Sequence, residues 1–319
     1  MLFNSYFLQR GLLVLLILLG IVQMGKWSYD GKLPTFRSNR PAGYPKHFPR
    51  KIWQLWKTPL GQLDDDTQAD VVLWSTMNPD HRWELITDGS QVAYVREHFA
   101  NRPRIIEAYG ALRDAILRAD FLRYLVLLAE GGVYIDIDTK PLKPINSWIP
   151  PQYEDDEINL LVGMEVDHDG PKWLDWTYNR QICQWALYAK PNHPIIENVV
   201  MGIVNQTLSA MDMDFTHLIR EEVLNLTGPG AFTNAVFAGL SQMTATNVTA
   251  ANVTNLSEPK LIGDVLVMTI NAFGSGQGHS NSQPPQHPDA LVFHRFRGSW
   301  FKDHHYTNDD KKGDKREAS

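Results

Sequence analysis

Two aspartates, Asp136 and Asp138, close the run Gly131-Gly-Val-Tyr-Ile-Asp-Ile-Asp138. Carboxylates at the end of an apolar strand have no core to stabilise, so they ask for a cation, and a cation held there suits a phosphate-bearing substrate. In an extended strand, residues two apart have alpha carbons about 6.6 Å apart. A metal with ligands at about 2.1 Å takes both carboxylates only if the chain turns between them. The simpler geometry divides the labour, with Asp138 on the metal and Asp136 reaching the hydroxyls of a sugar or ribose. His294 follows the apolar Leu291-Val-Phe. An imidazole at a strand end is a candidate third ligand, and an octahedral oxygen and nitrogen shell suits manganese better than magnesium. His304-His305 is a weaker candidate. Asp120 and Arg123 stand three apart on one helical face and can pair there. An ordinary surface ion pair would be worth little, but on so apolar a helix lone charges are costly unless used. Thr227 precedes Gly228-Pro-Gly230, which reads as a tight turn whose backbone can approach a ligand closely.

The elements that must position these residues are visible in the periodicity. Ile52 to Leu55 is a first strand and Trp83 to Thr87 a second. Val92 to Phe99 and Ala111 to Ala129 are helical by pattern; in the latter Leu112, Ile116, Ala119, Leu122 and Val126 recur at helical spacing. Gly131-Gly132 ends that helix as a left-handed cap requires. From Val133 the period becomes two, with Val133, Ile135 and Ile137 facing one way and Tyr134, Asp136 and Asp138 the other. Asn159 to Met164 and Asp264 to Ile270 read as further buried strands. Thr177 to Tyr188 and Ile195 to Met211 read as helices. Strands interleaved with helices predict a mixed α/β layer fold that binds ligands at the carboxyl ends of its strands.

A chain of 319 residues with a net charge of −6 lacks the basic excess a nucleic-acid surface needs. Its ten Trp are the content of a good core as much as of a sugar-binding surface. Cys183 is the only cysteine, which excludes an intrachain disulfide and a multi-cysteine zinc site. It is expected as a small buried hydrophobe in a helix.

Residues 11–25 are uncharged, with Gln23 the one clearly polar side chain. At roughly 22 Å they are short against a bilayer core of about 30 Å, but Arg10 can snorkel. No small-x-small cleavage site follows, which favours an uncleaved signal anchor. The expected organisation is a cytoplasmic tail (1–10), an anchor (11–25), a Gly/Pro-rich stem (26–45), a globular domain (46–305) and a disordered tail (306–319). Lys26, Lys32, Arg37 and Arg40 outnumber Arg10, which by charge alone leaves the domain in the cytosol. Five Asn-x-Ser/Thr sites, at Asn205, Asn225, Asn247, Asn252 and Asn255, argue for the lumen.

Taken together, Arg50-Lys-Ile-Trp-Gln-Leu-Trp-Lys57, Asp120-x-x-Arg-Tyr124, the Gly131 to Asp138 run, Thr227-Gly-Pro-Gly230 and His294…Gly298-Ser-Trp300 resemble, in order, glycosyltransferase family 32. The likeness is greatest to the fungal initiation-specific α-1,6-mannosyltransferases of the Golgi. It implies a GT-A fold with a mixed central sheet behind one transmembrane helix, in a single-pass Golgi membrane protein with a luminal catalytic domain. It implies a divalent cation, usually manganese, GDP-mannose as donor, a mannose-containing N-glycan as acceptor, and retention of configuration. Trp53, Gln54 and Trp56 would lie near the nucleotide base. Asp120, Arg123 and Tyr124 would hold donor sugar and diphosphate beside Gly131 and Gly132. Asp136, Asp138 and His294 would serve the metal, and Ser299 and Trp300 would close over the phosphates. A nucleophile for retention is not evident; Asp167, Asp169 and Asp175 are the nearest candidates, and same-face attack stays open. Other readings are a transferase acting on inositol-phosphoceramide lipid, a silent subunit of a mannosyltransferase complex, and a calcium-dependent lectin.

Overall fold

The computed structural model describes residues 45–170, 176–211, 214–277 and 280–298. In chain order these form β1 (Lys51–Trp56), α1 (Asp65–Met77), β2 (Arg82–Thr87), α2 (Gln91–His98), α3 (Pro103–Ala111), α4 (Ala115–Ala129), β3 (Gly132–Ile135) and β4 (Thr139–Pro141). There follow β5 (Leu160–Asp167), β6 (Arg180–Ile182), β7 (Ala186–Ala189), α5 (Pro194–Ser209), α6 (Arg220–Leu226), α7 (Pro229–Thr244), β8 (Lys260–Ile262), β9 (Val265–Met268), α8 (Ile270–Gly274) and β10 (Val292–His294). The tail, the anchor and nearly all of the stem expected over 1–45 lie outside the described residues. So do Asp175, Ser299, Trp300, His304, His305 and the C-terminal tail. Among the described residues no helix is long and apolar enough to cross a membrane.

The sheet is mixed, as expected. Its order is β2-β1-β3-β7-β5-β9-β8, with β6 paired to β5 off that path. β1 pairs parallel with β2 and β3, and β5 parallel with β9. β7 runs antiparallel between β3 and β5. The strands β1, β3 and β5 therefore point the same way, and their carboxyl ends share one edge, where open α/β sheets bind ligands. A separate antiparallel pair, β4 with β10, sets His294 opposite Thr139.

Two helical expectations are corrected. The helix expected over Ala111 to Ala129 is two: Leu112 to Asp114 breaks it, and Asp114 caps α4 by accepting from the Ile116 amide at 3.1 Å. Its carboxyl half is not amphipathic, because Asp120 to Leu128 are all buried. A helix enclosed on every side needs the all-round apolar composition seen there, and each buried Leu, Val or Phe contributes roughly 1.5–3 kcal/mol. The second expected helix, Thr177 to Tyr188, is the strand pair β6 and β7. Ile182 and Ala186–Ala189 are buried, and consecutive buried positions in a central strand mimic a buried helix. Cys183, expected in a helix, lies between these strands; it is fully buried, and burial pushes its thiol up.

The expected glycine cap is present, and it does two things. Gly131 takes φ +67° and Gly132 φ +99°, conformations open to glycine at little cost. The same reversal brings the chain against its neighbours: a Cβ on Gly131 would meet the Ala189 carbonyl at 2.7 Å, and one on Gly132 the Lys51 carbonyl at 2.8 Å. Gly132→Ala is expected to lose about 1–3 kcal/mol from the forced backbone alone, read as a lower urea midpoint. Gly61→Ala, where a Cβ meets nothing within 4 Å, is the matched control. A Gly132→Ala midpoint equal to wild type would contradict this account of the turn.

Candidate metal centre

The chain leaves β3 at Ile135 and turns over Ile137 and Asp138 before β4. The Thr139 hydroxyl closes the turn by donating to the Asp136 carbonyl at 2.6 Å. Gln54 Nε2 donates to the same carbonyl at 3.2 Å, and the Asp136 amide donates to the Trp185 carbonyl at 2.9 Å. This turn removes the obstacle that an extended strand presents, so the separation of roles between the two acids gives way to a shared site. Ligating atoms of Asp136, Asp138 and His294 all lie within 4.8 Å of one another.

The donor chemistry of this set fits a hard divalent cation. Ligand distances of about 2.1 Å place opposite ligands about 4.2 Å apart, so small movements suffice. Asp138 Oδ1 meets His294 Nε2 at 2.9 Å, and its Oδ2 accepts the Arg297 amide at 3.0 Å. Burial works against a charged Asp138, but these contacts and the His294 charge outweigh it and hold the carboxyl below its ordinary range. His294 Nδ1 is buried with no hydrogen-bond partner among the described residues.

Behind the acids lies a buried charge web. Arg123 Nη2 is 3.0 Å from Asp120 Oδ1 and 3.5 Å from Asp136 Oδ1. Its guanidinium sits over the Tyr134 ring, 5.1 Å from the centroid, and the Tyr134 hydroxyl donates to Asp136 Oδ1 at 2.7 Å. Asp120 also accepts from Gln184 Nε2 at 3.2 Å and from the Thr227 hydroxyl at 3.1 Å. The Tyr124 hydroxyl reaches Gln184 Oε1 and donates to the Thr227 carbonyl at 3.0 Å. This is not a surface ion pair, since Asp120 and Arg123 are 1% and 4% exposed. Burial pushes Asp120 up to about 6 despite Arg123. Burial opposes charge on Arg123 too, yet Tyr134, Asp120 and Asp136 together raise it well above its ordinary value. The two shifts pull against each other, and the 3.0 Å contact favours the charged pair.

Other candidates are placed elsewhere or differently. Trp53 is buried, and its indole donates to the Gly131 carbonyl at 2.8 Å. Gln54 is fully buried, accepting from Trp83 Nε1 at 2.8 Å while it holds Asp136. Trp56, at the carboxyl end of β1, is half-buried. Gly228-Pro-Gly230 is not a free turn: Gly228 is the N-cap of α7, which places Thr227 beside Asp120. Asp167 is committed to a loop, accepting from the Thr254 hydroxyl at 2.7 Å and the Asn255 amide at 2.5 Å. Asp169 is exposed and pairs with Arg180. The residues missed by sequence reasoning are Glu165, Gln184 and Trp185. For Glu165 the available signal was a lone acid inside an apolar strand.

Residues 64–154 match the glycosyltransferase sugar-binding region containing the DXD motif. The chain is 40% identical over 263 residues to an initiation-specific α-1,6-mannosyltransferase of Schizosaccharomyces pombe, covering 82% of this chain and 65% of that protein. It is 31% identical over 290 residues to the protein of the same name in Candida albicans, covering 82% of this chain and 74% of that one. The chain belongs to glycosyltransferase family 32. A further relative, inositol phosphoceramide mannosyltransferase 3 of Schizosaccharomyces pombe, is 26% identical over 41% of this chain and 36% of its own length. The chain thus spans just under two thirds of the first of these relatives. The matched sugar-binding region, 64–154, holds Asp120, Arg123, Asp136 and Asp138, while His294 reaches them through β10.

Arg123→Met is expected to destabilise the fold by about 3–5 kcal/mol, because it leaves Asp120 and Asp136 without their shared cation. Denaturant unfolding reads it. A loss under about 1 kcal/mol would mean Asp120 is carried as a neutral acid.

Proposed function

We propose that this chain is a retaining, divalent-metal-dependent mannosyltransferase that moves mannose from GDP-mannose to a mannose-containing N-glycan, through an α-1,6 linkage. The observation that carries the reading is the convergence of Asp136, Asp138 and His294 within 4.8 Å, backed by the buried Asp120–Arg123 pair. The GT-A architecture is part of the same reading, supported by acids at the carboxyl edge of a mixed sheet. Mannose and the α-1,6 linkage follow the names of the relatives that cover most of this chain; manganese, the GDP donor and the N-glycan acceptor are parts of the same proposal.

Asp136, Asp138 and His294 would hold the cation, which when bound supplies positive charge against the diphosphate as the sugar–phosphate bond breaks. Arg123 sets the electrostatics behind it: its Nε is buried with no partner among the described residues, a donor poised for an anionic group. Asp120, fixed by Thr227 and Gln184, holds Arg123 in place. Tyr134 orients Asp136 through Oδ1, leaving Oδ2 for the cation. Trp56 and Lys57, whose ammonium lies 5.6 Å from the Trp56 ring centroid, offer a face and a charge to the nucleotide. Water has to be excluded here, or hydrolysis competes with transfer.

A glycan acceptor is preferred to inositol-phosphoceramide because two relatives named for that lipid cover 41% and 55% of this chain, against 82% for the α-1,6-mannosyltransferases. We place the catalytic part in the Golgi lumen behind a membrane anchor at 11–25. In support, Asn247, Asn252 and Asn255 are exposed, as glycosylated asparagines must be.

In the decisive assay, the protein with Mn²⁺ transfers mannose from GDP-mannose to a mannose-rich glycan. Chelator abolishes turnover, and Asp138→Asn lowers it by about 100-fold or more. Transfer undiminished in chelator would remove the metal from the mechanism. Transfer to inositol-phosphoceramide in place of the glycan would reassign the acceptor.

A further inference from the structure

Glu165 lies two strands across the sheet from Asp136, near the carboxyl end of β5. The β5–β6 ladder pairs Met164 with Ile182 and Val166 with Gln181. Two residues of β5 therefore oppose one of β6, and Glu165 is the extra residue of a β-bulge. Bulges re-aim a side chain and gather beside active sites.

The side chain so aimed is held by neutral donors on both oxygens. Gln181 Nε2 donates to Oε2 at 2.8 Å, and Trp185 Nε1 donates to Oε1 at 3.2 Å. Gln181 has no freedom to flip, because its Oε1 accepts the Thr177 amide at 3.1 Å and the Tyr178 amide at 3.4 Å. Trp185 ties the same carboxylate to the metal centre. Its ring centroid is 4.4 Å from that of His294, and its carbonyl accepts the Asp136 amide at 2.9 Å. No cation pairs with Glu165 among the described residues. Burial pushes its carboxyl up, although Gln181, the His294 charge and Trp185 oppose this. A structural acid in such a place is ordinarily paired. This one is oriented by neutral donors on both oxygens and given no counter-charge among the described residues.

We propose that Glu165 is a catalytic carboxylate of the transfer reaction, facing the transferred sugar and stabilising the positive charge that develops at its anomeric carbon. The proposal rests on the glycosyl-transfer reading above. The sugar–phosphate bond breaks with its electron pair leaving on the nucleoside diphosphate. The acceptor oxygen bonds the anomeric carbon, and the acceptor proton passes to a diphosphate oxygen. Glu165 forms no bond; it supplies charge where charge appears, as preorganised groups do. Gln181 and Trp185 are positioning residues.

The test uses the full chain with Mn²⁺, GDP-mannose and a mannose-rich glycan, comparing wild type with Glu165→Gln, Glu165→Asp and Trp185→Phe. Calorimetry reads donor affinity, and initial rates read kcat and KM. Glu165→Gln is expected to bind donor within about threefold of wild type and to lose about 100-fold or more in kcat, the pattern of an interaction made only in the transition state. Glu165→Asp, its carboxylate withdrawn by one methylene, recovers part of the rate. Trp185→Phe keeps the acid, removes one donor and lowers kcat by about tenfold with donor affinity held; it carries the test should Glu165→Gln fail to fold. Wild-type kcat in Glu165→Gln, or a loss confined to donor affinity, overturns the assignment while leaving the transfer reading intact. A wild-type protein that folds, binds no sugar nucleotide and transfers nothing overturns both.

Discussion

An excess of negative charge in a partly dry place is the constraint on which the rest of this structure depends. Asp120, Asp136 and Asp138 gather around the Arg123 guanidinium and the His294 imidazole, and Trp185 links Glu165 to the same group. Two carboxylates 4.8 Å apart repel by about 3–4 kcal/mol at an effective dielectric near 20. Arg123 relieves Asp120 and Asp136, and His294 relieves Asp138. The remaining excess would make a bound dication stabilising.

The scaffold meets this constraint by fixing backbone before side chains. Three groups hold Asp136 through its main chain: Gln54 and Thr139 on the carbonyl, and the Trp185 carbonyl on the amide. They come from β1, from the turn itself and from the approach to β7, so a shift in any of these elements moves the acid. The reversal at Gly131-Gly132 is needed for the same reason. It lets β3 start directly beneath α4, so that Arg123 on the helix and Asp136 past the strand meet across a few ångströms. Such positions, where backbone conformation and close approach are both required, leave glycine little competition.

Much of this was legible in the sequence because it is local. The acid pair, its glycine stop and the i,i+3 spacing of Asp120 and Arg123 are properties of short windows; the turn after β3, which brings the two acids into one site instead of separating them, is not. What was illegible depends on partners distant in the chain. Gln184 and Trp185 lie where consecutive apolar positions are compatible with helix or central strand, and only pairing with β3 and β5 decides. For Glu165 the sequence shows only a lone acid alternating with Met164 and Val166, as a solvent-facing strand residue would, and the bulge that re-aims it is not marked there. The role expected for Trp53 and Gln54 shows the converse. A Trp-Gln-x-Trp pattern is visible at once, but its first two residues are buried and bond the Gly131 and Asp136 carbonyls, while Leu55 and Trp56 are half-buried at the strand end.

His294 is held differently from the two aspartates, and the difference bears on how the metal centre forms. Asp136 and Asp138 stand on a turn locked into the main sheet, whereas His294 arrives on the short β4–β10 pair. The segment beyond it is secured by Arg295 on Asp70 at 2.6 Å and by Arg297 on Asp64 at 2.7 Å. The second pair is solvent-exposed, and such pairs contribute at most about 1 kcal/mol. Between the two arginines, Phe296 adopts φ +48°, a conformation costing a bulky residue roughly 1–3 kcal/mol. Its ring packs 3.8 Å from the His294 centroid and edge-on to Trp185 at 5.8 Å, contacts worth about 0.5–1.5 kcal/mol each. Attraction and strain are therefore of similar size, and the imidazole is presented with little surplus. A cation bound to His294 would add its ligand bond to that narrow balance. Metal binding at His294 would draw on the same contacts that hold Arg295 to Arg297, so a change at Asp64 or Asp70 would alter metal affinity without touching a ligand.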